Sequence, residues 1–227
     1  VVQLVMGYFF LVLLDRFVIM QPQLAQMETP PGVTEAVVAP LLDTAGIVLL
    51  LIAPMLTMRL LSEERRNQTL PLLFSAPVSM TEIILGKYLG ILGFFMLILM
   101  LIALMPLSLY SGTSLDTGML LSALLGLLLL LASIAAIGLF MSSLTAQPTV
   151  AAISTFGVLL LLWILDAAAT TGGDASGSVL AYLSILRHYQ PMLTGAFKSV
   201  DVVYYLLLIG TFIVLSIRRL DSYRLQH

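Results

Sequence analysis

Residues 117–165 read TGMLLSALLGLLLLLASIAAIGLFMSSLTAQPTVAAISTFGVLLLLWIL, without one Asp, Glu, Lys, Arg or His. As a single helix rising about 1.5 Å per residue, this stretch would be about 73 Å long, more than twice the thickness of a bilayer's hydrocarbon core. It therefore has to fold back on itself. Its one turn signal is Ser142-Ser143-Leu144-Thr145-Ala146-Gln147-Pro148, where small polar residues precede a proline suited to a helix start. Two spans follow, near 118–141 and 148–166.

The rest of the chain has the same character. Of its 227 residues, 60% are hydrophobic and 10% charged, against about 25% charged in an ordinary soluble domain. So few charges cannot cover the surface of a soluble fold. Disorder is excluded by the high hydrophobicity, and nucleic-acid binding by a net charge of −2 with no basic stripe. The chain has no cysteine and two distant histidines, which removes disulfide frameworks and the usual metal-ligand clusters.

Four more apolar runs, at 1–20, 41–60, 83–106 and 202–218, bring the expected spans to six. The last is short and spans only with snorkelling flanks. The expected fold is thus an all-α polytopic membrane protein, one transmembrane domain over 1–227. Six spans put both termini on one side of the membrane. Arg59, Arg65, Arg66, Lys87, Arg218, Arg219 and Arg224 fall on that side, and Arg16, Arg187 and Lys198 on the other. The excess of Lys and Arg makes the terminal side cytoplasmic. Val1–Leu14 carries neither a basic leader nor a small-residue cleavage site, so it does not read as a signal peptide, and the given chain is expected to start inside its first span with upstream residues missing.

Segment 21–40, rich in Pro and Gln, reads as an irregular outer cap. In the 167–201 loop, Val179, Leu180, Leu183 and Leu186 have the spacing of an amphipathic helix. Such a helix would lie in the interface; an outer loop resting on its own protein fits equally well.

The cytoplasmic loop after the second span is the informative one. Arg59, Glu63, Glu64, Arg65 and Arg66 concentrate five charges in eight positions, and Leu70, Leu72, Leu73 and Phe74 follow before Pro77. A helix with a charged end and an apolar end, held just outside the membrane, suits docking into a partner's groove. It equally suits an interfacial anchor for the next hairpin, and the composition leaves both open.

At this loop the sequence resembles the type-2 ABC export permeases, specifically the gliding-motility-type subfamily. The residues that carry the likeness are Arg59, Glu63, Glu64, Arg65, Arg66, Thr69, Leu72 and Leu73, then Pro77-Val78-Ser79 and Leu85-Gly86-Lys87. A second matching stretch is Leu183-Ser184-Ile185-Leu186-Arg187-His188-Tyr189 with Gly195, Phe197, Asp201 and Tyr204. Gln68 stands where that family has Gly, and Pro71, which restricts a helix through Leu70, where it has Glu. The family's amphipathic elbow helix before the first span is absent here.

The resemblance implies a permease subunit of the bacterial inner membrane. It would pair with a second permease, identical or different, and leave room for an auxiliary periplasmic or membrane protein. A cytoplasmic coupling helix near 62–76 would dock on a pair of separate ATPases, which would hold the ATP and Mg. Glu63, Glu64, Arg65, Arg66, Thr69, Leu72 and Leu73 are the expected docking residues, with charges orienting the contact and leucines supplying buried area. No G-x-x-x-x-G-K-[ST] is present, so the chain itself binds no cofactor.

Three further features have plain alternatives. Gly86 and Gly90 form a G-x-x-x-G, expected to serve helix packing inside the subunit or at a dimer seam. Asp15 and Arg16 sit within the first apolar run, as a lining of a transport path or as a snorkelling interfacial pair. An intramembrane protease is the enzyme alternative, but neither G-x-S-x-G nor H-E-x-x-H occurs. Besides a transporter subunit, the competing readings are a membrane subunit that transmits motion without moving a substrate, and an ATP-independent channel or carrier. The last would show inverted repeats or mid-span polar residues, and neither is evident.

Overall fold

The computed structural model describes residues 1–24, 31–69, 79–113, 115–171 and 182–224. All regular structure among them is helical: α1 (Val2–Leu24), α2 (Ala39–Thr57), α3 (Arg59–Arg66), α4 (Met80–Ser108), α5 (Thr117–Leu144), α6 (Pro148–Thr171), α7 (Ile185–Leu193) and α8 (Ser199–Arg224). A π-helical turn, Thr34–Val38, leads into α2, and a 3-10 turn, Leu109–Ser111, closes α4. Six helical stretches are long and apolar enough to cross a membrane, α2 and α3 counting as one. The protein is a multi-pass membrane protein.

Local chemistry sets the helix starts. Before α4, the Ser79 hydroxyl accepts from the Glu82 N–H while the Glu82 carboxylate accepts from the Ser79 N–H, a capping box. Asp116 Oδ1 accepts from the N–H groups of Gly118 and Met119 to open α5. Pro148 is the first residue of α6, where its missing N–H costs nothing.

α5 is the centre of the bundle. Of its most apolar 18-residue window 72% is buried, against 11% for α1, and it touches α2, α3, α4, α6, α7 and α8. Its small residues permit this. A Cβ on Gly126 would stand 2.9 Å from Met192 Cβ of α7. The exposed faces of α1 and α4, with Leu4, Tyr8, Leu11, Leu89, Met96 and Met100, are apolar, as a hydrocarbon environment requires.

The fold-back of 117–165 is present, with the turn confined to Thr145–Gln147 and both helices extending past the expected spans. Other expectations need correction. Segment 21–40 is not wholly irregular, because α1 runs on through Gln21–Leu24 and the π turn continues directly into α2. The last membrane helix is not short, since α8 has 26 residues. The helix in the 167–201 loop does not follow the Leu183/Leu186 spacing. Ser184 is extended at ψ 124° and starts α7 at Ile185, leaving Leu183 exposed and Leu186 buried; Val179 and Leu180 lie outside the described residues. α7 is buried against its own protein through Ile185, Tyr189 and Met192.

Candidate functional site

The charged cluster lies where α2 gives way to α3, at the same end of the bundle as the C-terminus of α5. Pro54 has no N–H to bond the Leu50 carbonyl, so the α2 ladder is already interrupted. One turn later the Ser142 hydroxyl of α5 inserts into what remains. Its Oγ accepts from the N–H groups of Leu61 (2.9 Å) and Ser62 (3.0 Å) and donates to the Met58 carbonyl (2.9 Å). A side chain inserted in this way separates one helix into two. The Ser62 hydroxyl takes the Met58 carbonyl as a second donor.

Close backbone approach makes the insertion possible. Gly138, one turn before Ser142, faces Thr57, and a Cβ there would overlap the Thr57 side chain. Thr57 turns its own hydroxyl back to the Ala53 carbonyl at 3.0 Å, so the contact leaves no polar atom unpartnered.

α3 is fixed on three sides. Glu64 Oε1 accepts from Lys87 Nζ of α4 at 2.6 Å, with both side chains about three-quarters buried. Arg65 donates from Nη1 to the Ser143 carbonyl at 2.6 Å and lies over the Tyr223 ring of α8, 4.7 Å from its centroid. The helix ends in a Schellman motif: Gln68 N–H bonds the Arg65 carbonyl, Thr69 N–H bonds the Glu64 carbonyl, and Gln68 is left-handed at φ 55°. The Thr69 hydroxyl adds a bond to the Glu64 carbonyl. Of the expected 62–76 helix, the described part is α3, which begins earlier, at Arg59, close on the end of α2, and ends at Arg66; residues 70–76 lie outside the described residues.

With Glu64 and Arg65 turned inward, Glu63, Arg66 and Thr69 remain exposed. Glu63 and Arg66 border a cleft of about 370 Å³ that α3 forms with Pro148 and Thr149 at the start of α6. A second cleft of about 480 Å³ adjoins it, with Gln68, Ala146 and Gln147 on its walls. The arrangement presents alternating charge and open concave surface on a helix whose base is held by three other helices. Leu72 and Leu73 lie outside the described residues.

The remaining predicted residues are not part of this cluster. Asp15 and Arg16 are exposed on α1, and neither has a polar partner among the described residues. Among those residues nothing comes within 4 Å of a Cβ built on Gly86, Gly90 or Gly93. Among the described residues that stripe packs against nothing within the subunit, and Gly86, Gly90 and Gly93 are exposed on α4.

Sequence reasoning missed Ser142 and Ser143, which it took for a simple turn, and Tyr223, which carried no signal at all. It read His188 as an interfacial residue rather than a catalytic base. At the opposite end of α5, His188 Nδ1 stands 2.7 Å from Asp201 Oδ1 and Nε2 2.9 Å from the Tyr182 carbonyl, with the ring stacked on Tyr204 at 4.1 Å. Tyr204 and Tyr205 donate to the carbonyls of Leu183 and Ile185, and Tyr189 to that of Leu42. Burial, with Asp43 nearby, pushes the Tyr189 phenol well above its usual range, so it keeps the proton it donates. These bonds tie α7 to α8 and α2.

The sequence model of one family, described as "ABC-2 family transporter protein", matches residues 7–222. No curated protein matches the chain.

Proposed function

Since this chain belongs to the ABC-2 family of transporter proteins, and so is a membrane permease subunit rather than an enzyme in its own right, we propose that α3 is its coupling helix. In this reading the chain is an export permease of the gliding-motility type in a bacterial inner membrane, with both termini in the cytoplasm. It pairs with a second permease, and each permease seats its α3 on one of two separate ATPase subunits that bind ATP and Mg. Closure of the ATPases pushes α3, and the push enters the bundle through the Ser142 junction.

The observation that carries this reading is the division of labour within α3. Glu64 and Arg65 are spent on holding the helix to α4, α5 and α8, while Glu63 and Arg66 are left exposed beside the clefts. A helix that only anchored the next hairpin would have no need of exposed charge above an open groove. Thr69 lies on the same exposed end, and Leu72 and Leu73 are assigned the apolar part of the contact. Charged groups at such a rim set orientation and on-rate more than affinity.

The test is co-purification of the full chain with its cytoplasmic ATPase. The charge reversals Glu63→Lys and Arg66→Glu touch only exposed side chains, so the permease should still fold. Each should lower ATPase recovery and ATP turnover by the assembled complex. Undiminished recovery and turnover in the double variant would overturn the assignment of α3 as the docking element.

A further inference from the structure

We propose that the exposed face of α8 between Leu206 and Arg218 is a groove for one anionic phospholipid, with an acyl chain over Gly210 and the phosphate on Arg218. The groove has a volume of about 490 Å³ and is lined by α8 alone. It makes no use of α3, so it stands whether or not an ATPase docks there.

Its shape comes from one residue. Leu206 and Leu207 wall it a turn before Gly210, and Val214 and Leu215 a turn after, all four exposed. Between these two branched pairs, nothing among the described residues comes within 4 Å of a Cβ built on Gly210. The missing side chain therefore leaves a depression in an otherwise bulky face. Thr211 lines the same stretch, but its hydroxyl donates to the Leu207 carbonyl at 2.7 Å and is not free for a ligand. The groove is thus an apolar track that ends in a guanidinium.

The dimensions are those of one leaflet. From Leu206 to Arg218 a helix rises about 18 Å, close to half of a hydrocarbon core of about 30 Å. An arginine at the end of such a track reaches the headgroup level. A phospholipid has the matching order of parts, a phosphate and then an unbranched apolar chain. A guanidinium holds phosphate through two parallel N–H···O bonds. Arg219 and Asp221 are exposed on the same turn, and two arginines against one aspartate leave it net positive, which favours an anionic headgroup.

A second copy of the chain is the competing occupant, and charge disfavours it. Two copies inserted in the same orientation meet at equal depths. An isologous contact along this groove would set Arg218 against its own counterpart, like charge on like charge.

The experiment uses the full chain in detergent, equilibrated with phosphatidylglycerol or phosphatidylcholine of matched acyl chains, and native mass spectrometry counts the lipids retained. Phosphatidylglycerol should be retained about fivefold over phosphatidylcholine, the effect of one arginine near a lipid surface. Gly210→Leu fills the depression with a side chain that meets open space, so the fold should stand while one retained lipid is lost. Arg218→Gln should abolish the preference for phosphatidylglycerol. Gly90→Leu, at an equally open glycine of α4, should change neither. Retention unchanged in Gly210→Leu, a preference that survives Arg218→Gln, or an equal loss in Gly90→Leu would each overturn the proposal. So would dissociation of paired permeases in Gly210→Leu, which would assign the groove to a second copy.

Discussion

Gly138 of α5 and Thr57 of α2 meet so closely that the glycine's missing Cβ is the condition of their contact. The approach brings Ser142, one helical turn further on, within hydrogen-bond reach of three backbone groups at the α2–α3 junction. Position 138 therefore controls the junction without touching it.

Replacing Gly138 with Ala should force the two helices apart. Overpacking of a tight interior contact costs about 1–3 kcal/mol, so thermal unfolding of the detergent-solubilised protein should move to lower temperature. An unchanged midpoint would mean that the helices separate without loss.

Ser142→Ala removes one acceptor from two N–H groups and one donor from a carbonyl. Buried donors left unsatisfied cost about 1–3 kcal/mol. The loss should be local, with faster amide exchange over 58–62 than in the wild type while α4 and α8 keep their protection.

Gln68→Gly should stabilise. A non-glycine residue in the left-handed region costs about 1 kcal/mol, and the exposed Gln68 side chain gains nothing in return. The same Schellman geometry closes α7, and there the left-handed residue is Gly195 at φ 78°. The unfolding midpoint of Gln68→Gly should rise, and that of Gln68→Val, whose branched side chain tolerates this backbone least, should fall.

Glu64 and Lys87 should show a measurable coupling in a double-mutant cycle. For a pair about a quarter exposed, about 1 kcal/mol is the upper expectation. The swapped pair Glu64→Lys/Lys87→Glu should recover part of what either single reversal loses. No recovery would assign the 2.6 Å contact to geometry without energetic weight.

The sequence made the membrane fold legible because the chain answers a single large demand. Residues 117–165 have to turn back once, and only the segment ending at Pro148 offers a place. Helix ends were less legible, since they depend on caps such as Ser79–Glu82 and on Ser184, whose effects reach only a few residues. The α3 cluster could be found from its charge density, but not the division within it. That Glu64 and Arg65 face inward follows from Lys87, Ser143 and Tyr223, which are distant in the chain. The Gly86/Gly90 spacing permits close packing, but among the described residues the tightest glycine contacts within the subunit are at Gly126 and Gly138.

α5 runs without a break from Asp116, which caps its start, to Leu144. Its first half seats α7 and its last turns seat the α2–α3 junction. An α-helix of 28 residues is about 42 Å long. If α3 is the coupling helix proposed above, a displacement there would have one unbroken helix along which to reach α7, which His188, Tyr204 and Tyr205 tie to α8 at the far end.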